Sequence, residues 1–148
     1  MSNVSLSWSE IKAKVYEAYQ PIELLSEKLR VEIDFQDGFF DTEKLVNKMQ
    51  LFLTKMESCE KESLFSMDVE ILKTVQQQLK LFTDSANDLK EDERKVLYYL
   101  LIKKESECDI AKHRMPASCS ASKINRLKKC IFLKLLDNVE YNELKQLD

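Results

Sequence analysis

From Trp8 to Leu29 the apolar residues recur at alternating steps of three and four: Trp8, Ile11, Val15, Ala18, Ile22, Leu25 and Leu29. That spacing lays them along one side of an α-helix. Ser7 and Glu10 have the spacing of a capping box, and Leu6 and Ile11 that of a hydrophobic staple. Pro21 removes a backbone donor but leaves the stripe in phase, so a kink is expected, not a break. Residues 29–35, LRVEIDF, alternate apolar and charged positions, which is a strand-like period. Phe39 and Phe40 are too short a run to promise a partner strand. An extended connection ending at Gln36-Asp37-Gly38 is therefore expected, with a helix running on to Ile33 as the alternative.

A second helix should start at Asp41 or Thr42 and bury Leu45, Met49, Phe52, Leu53 and Met56. A third, capped by Ser66, should bury Leu72, Val75, Leu79, Phe82 and Ala86. A fourth begins near Asp88, with acidic residues at its amino end, and contains seven consecutive apolar residues, Val96 to Ile102. A fifth begins near Ser120 or Ser122 and carries Ile124, Leu127, Cys130, Ile131, Leu133, Leu135 and Leu136. Residues 137–148 suit a short sixth helix or a frayed end. The expected fold is all-α: a compact bundle of about five amphipathic helices, the first kinked at Pro21.

Two short motifs compete with this core reading. Leu97, Leu100 and Leu101 spell LxxLL, a helix motif that docks into grooves on partner proteins. Residues 19–25, YQPIELL, match the Tyr-x4-Leu-apolar pattern of proteins that bind the translation cap-binding factor. A helix that is apolar on every side for two turns is normally surrounded by other helices. Ile22 and Leu25 already belong to the first stripe. Both segments are therefore expected in the core.

Composition narrows the classes. One Gly and two Pro in 148 residues leave too few tight turns for a sandwich or barrel, and too few glycines for a phosphate-cradling loop. The length suits one domain, 1–148. Charge divides it: residues 1–93 hold 11 basic and 19 acidic side chains, and residues 94–134 hold 11 basic and 3 acidic. An acidic lobe, 1–86, packed on a basic helical hairpin, 88–136, is the expected organisation. The two faces should pair with each other or face water. No basic start followed by an apolar run marks an export signal, and no stretch reaches membrane-span length. Four cysteines without a close pair are expected to be reduced thiols in cytoplasm or nucleus.

Little chemistry is legible. Cys108, His113, Cys119 and Cys130 are spaced C-x4-H-x5-C-x10-C, without the close pairs typical of zinc sites. Cys119 and His113 share a loop but lack an orienting group or an oxyanion turn. Glu105, Glu107 and Asp109 are scattered around a helix by their steps of two. No catalytic residue, metal or cofactor is expected.

Residues 89–130 resemble the helix-turn-helix DNA-binding domains of bacterial response regulators and sigma factors. The resemblance lies in Leu89, Glu93, Arg94, Val96, Leu97, Leu100, Ser106, Ile110 and Ala111. The turn lacks the usual Gly, and HRMPASCSAS is about three residues longer than the pattern. The resemblance implies that Lys123, Arg126, Lys128 and Lys129 lie on a groove-facing helix.

The expected function is that of a non-enzymatic intracellular protein-interaction module, an adaptor or a subunit of a multi-protein complex. Its partner would be another protein, helical or acidic, and a homo- or hetero-oligomer would fit; no membrane is involved. Lys123, Arg126, Lys128 and Lys129 are the candidate partner-binding residues. The alternative is a nucleic-acid-binding regulator that uses residues 89–136.

Overall fold

A computed structural model of the chain describes residues 7–58, 63–116 and 119–147, with side chains for 7–55, 70–116 and 119–136. Leu6 and Met56, assigned above to a staple and a core position, lie outside the described side chains. The described residues form an all-α bundle of six α-helices, with one π-helical turn and a two-stranded hairpin.

Helix α1 spans Trp8–Leu29. The Ser7 hydroxyl accepts the Glu10 N–H at 3.2 Å, and the Glu10 carboxylate accepts the Ser7 N–H at 3.4 Å. Two of the unpaired donors at the helix start are thereby satisfied. The helix runs through Pro21 without interruption. It ends where Arg30 adopts the left-handed conformation, φ 57°, and donates its N–H to the Glu27 and Ser26 carbonyls. Ile11, Val15, Tyr19, Ile22, Leu25 and Leu29 are buried, while Trp8 and Ala18 are only half-buried.

The next segment differs from expectation. Strands β1 (Asp34–Gln36) and β2 (Phe39–Asp41) pair antiparallel, with Phe35 opposite Phe40. The two-residue loop Asp37-Gly38 has positive φ at both positions, 54° and 82°, as a type I′ turn requires. Phe39 and Phe40 are thus a partner strand despite their short run. Long-range contacts hold the hairpin: Asn87 bonds both backbone groups of Phe40, at 2.8 and 3.1 Å, and Phe35 stacks on Tyr98.

Helix α2 (Glu43–Ser58) begins with the Glu43 N–H donating to the Asp41 carboxylate at 2.9 Å. Helix α3 (Ser63–Asn87) starts three residues before Ser66, which is therefore inside it and not its cap. It packs against the earlier elements α1, β2 and α2 and the later α4 and α6. Helix α4 (Glu91–Leu97) starts three residues after Asp88 and passes into the π-helical turn Tyr98–Ile102. Helix α5 (Glu107–His113) is a short element not counted above, capped by Ser106. Helix α6 runs from Ala121 to Leu147, so residues 137–147 continue it instead of forming a separate sixth helix.

One cluster of buried apolar residues extends from Ile11 to Leu136. Val96, Leu97, Ile110, Ile124, Ile131 and Phe132 are fully enclosed. Complete burial of each such side chain is worth about 1.5–3 kcal/mol. Leu97 and Leu101 are buried and Leu100 half-buried, so the LxxLL leucines are spent on the core. Tyr19, Ile22 and Leu25 of YQPIELL are buried as well. In α6 the inward face differs from the expected set: Cys130 and Leu133 are exposed, and Phe132 is buried instead.

Candidate interaction surfaces

The basic block folds back on carboxylates. Lys104, itself left-handed at φ 55°, meets Glu23 of α1 at 2.5 Å and Glu27 at 3.7 Å. Lys103 meets Glu32 at 3.4 Å. Within the block, Arg114 pairs with Glu105 at 2.6 Å and Lys128 with Glu107 at 3.7 Å. Lys134 reaches the buried Glu93 at 2.8 Å. Burial pushes the Glu93 carboxyl up, but the Lys134 ammonium and the Lys90 N–H outweigh it and hold it below the usual range. The Arg114 guanidinium likewise lowers the Glu105 carboxyl. Arg94 donates to the Gly38 and Leu89 carbonyls and lies over Phe39 at 4.0 Å.

The four candidate residues therefore separate. Lys128 is paired and mostly covered. Lys129 is exposed but hangs over the Trp8 ring at 5.8 Å. Lys123 and Arg126 are exposed and have no carboxylate partner among the described residues. With Cys130 and Leu133 they form one stripe along the outer side of α6, spaced by steps of three and four. Ser120 starts this helix by accepting the Lys123 N–H at 3.2 Å, which sets the phase of the stripe.

A second surface was not legible in the chain. An apolar groove of about 370 Å³ runs between α1, α2 and α3. Its floor is Leu25, Leu29, Phe52, Leu72 and Val75, and its walls rise to Leu24 and Ile71, each 57% exposed. Among the described residues, Gln20 and Lys28 are its polar members and no carboxylate lines it. The α1 stripe faces the core, so Leu24 projects beside that stripe. Ile71 does the same on α3. Neither is a signal until the helices meet.

His113 and Cys108 are exposed on α5, and the half-buried Cys119 thiol donates to its neighbour Ser120. No three His, Cys, Asp or Glu side chains among the described residues are grouped to hold a metal ion. No helix among them is long and apolar enough to cross a membrane. Ile110, Ala111 and Ile124 are buried where α5 packs on α6, so the segment of helix-turn-helix resemblance does form packed helices. Protein-family models, curated proteins and solved structures offer no match to this chain.

Proposed function

We propose that the protein is a non-enzymatic interaction module that seats an amphipathic helix of a partner protein in the α1–α2–α3 groove. One observation carries this: two large aliphatic side chains, Leu24 and Ile71, stand more than half exposed on either side of an apolar trough. Water-exposed apolar walls flanking a concave apolar floor are the recurring form of a helix-receiving groove, which anchor residues at i, i+3, i+4 and i+7 fill. Exposing them costs the isolated chain favourable burial that a partner restores.

A photo-crosslinker placed at position 24 tests the reading in the native source. Crosslinks should map to a helical, apolar-striped segment of one protein, and Leu24→Glu with Ile71→Glu should abolish its association while helical circular dichroism stays unchanged. Crosslinks spread over many unrelated proteins, or association that survives the double variant, would reject the groove as the docking site.

A further inference from the structure

Among the described residues, the two cations of the α6 stripe, Lys123 and Arg126, make no ion pair inside the fold. Five of the eleven basic residues between 94 and 134 are paired with glutamates: Lys103, Lys104, Arg114, Lys128 and Lys134. Of the other six, Lys95 and Lys112 stand on α4 and α5, Arg94 holds the hairpin and Lys129 covers Trp8. Lys123 and Arg126 do neither. Lys123 also stands in the first turn of its helix, where the backbone dipole is positive, and α6 has no acidic residue in that turn. The Lys123 charge thus opposes the helix that carries it. The helices α1, α2, α4 and α5 all place carboxylates at that end.

The stripe is not purely basic. Cys130 is exposed and Leu133 is 46% exposed in line with Lys123 and Arg126, so two apolar groups follow the two cations, with the exposed Lys129 and the Glu93-paired Lys134 beside them. From Lys123 to Leu133 it spans about 15 Å, roughly three turns. A duplex would meet phosphates along that whole length. Binding to a duplex sums many phosphate contacts, about 6–10 in a strongly salt-dependent binder, and this face supplies two cations that have no ion pair among the described residues. An acidic helix with an apolar stripe matches both pairs at once: its carboxylates meet Lys123 and Arg126, and its leucines cover Leu133 and Cys130. We infer that the outer face of α6 docks an acidic amphipathic helix of a partner protein. This surface is separate from the groove and does not depend on it.

The test uses the full chain and fluorescence anisotropy. The probe is an 18-residue helical peptide with leucines at i, i+3 and i+7 flanked by glutamates. Its controls are the same peptide with glutamines and a 20-base-pair DNA duplex. The glutamate peptide should bind at least tenfold more tightly than the glutamine peptide. Lys123→Gln with Arg126→Gln should weaken it about tenfold, and Leu133→Ser about fivefold, with circular dichroism unchanged in both. Leu24→Glu should leave the affinity unaltered. Tighter binding of the duplex would overturn the inference in favour of nucleic acid. Peptide binding indifferent to Leu133→Ser would reduce it to charge attraction and overturn it too, as would no binding at all. A peptide that loses affinity on Leu24→Glu would assign the site to the groove instead.

Discussion

The densest apolar stretch of the chain and the apolar groove between α1, α2 and α3 are different places. Residues 96–102 are apolar without a gap, yet Val96, Leu97 and Leu101 are shut away between helices. The groove is built from residues that no window of the chain brings together: Leu24, Phe52 and Ile71, from three helices. Apolar density along a chain reports burial. Exposed apolar surface arises where amphipathic stripes are slightly wider than the contact they make, and only tertiary packing decides that width.

The largest effect that could break this contrast lies at Leu97. Leu97→Asp would place an unpaired carboxylate in a fully enclosed position and should cost more than about 4 kcal/mol, enough to unfold the chain at room temperature. Leu100→Asp, at a half-buried position, should cost less than half as much. A thermal melt by circular dichroism compares them. Equal melting temperatures would show that the run is less enclosed than its packing implies.

Next comes the Lys134–Glu93 pair, which ties α4 to α6. Lys134→Ala leaves a buried carboxylate without its cation and should cost about 1–3 kcal/mol. Glu93 has a folded-state pKa below its unfolded value, so its stabilising contribution is present above about pH 4.3. It is lost as pH falls through the lower, folded value. Melting temperatures of native and Lys134→Ala protein should differ most above about pH 5 and converge in stronger acid. A constant gap across that range would show that Lys134 stabilises by packing instead.

The smallest stability effects sharpen the contrast. Leu24→Glu with Ile71→Glu should move stability by no more than about 0.5 kcal/mol each, because both side chains already meet water. Unfolding of this variant would turn the groove into core. Lys123→Gln with Arg126→Gln should leave the melting temperature unchanged or slightly raised, since one cation, Lys123, leaves the positive end of a helix dipole. A clear drop would reveal an ion pair that the fold does not show.

Much of the fold could be read in advance because its signals are local. Ser7 and Glu10 cap α1, and the stripes of α1, α2 and α3 name most of their buried residues. The hairpin is hard to read from the chain although Asp37-Gly38 is the dipeptide that a type I′ turn prefers; short strands anchored by Asn87, 47 residues beyond Phe40, show little period of their own. In α6 nearly every position from Cys130 to Leu136 is apolar, so its phase could not be fixed from that run alone. Lys123 and Arg126 were legible as outward. The pairing of Lys128 with Glu107 was not, because it depends on how α5 meets α6.

The π-helical turn Tyr98–Ile102 has a consequence for insertions and deletions. Its backbone bond from the Lys103 N–H to the Tyr98 carbonyl encloses one residue more than an α-helical turn does. Removing one residue there would restore an ordinary helix and rotate everything beyond it by about 100°. Lys103 and Lys104 would swing away from Glu32 and Glu23, and Lys134, which also lies beyond the turn, would lose its register with Glu93. The turn therefore acts as a register spacer, setting two halves of one helical segment against different neighbours.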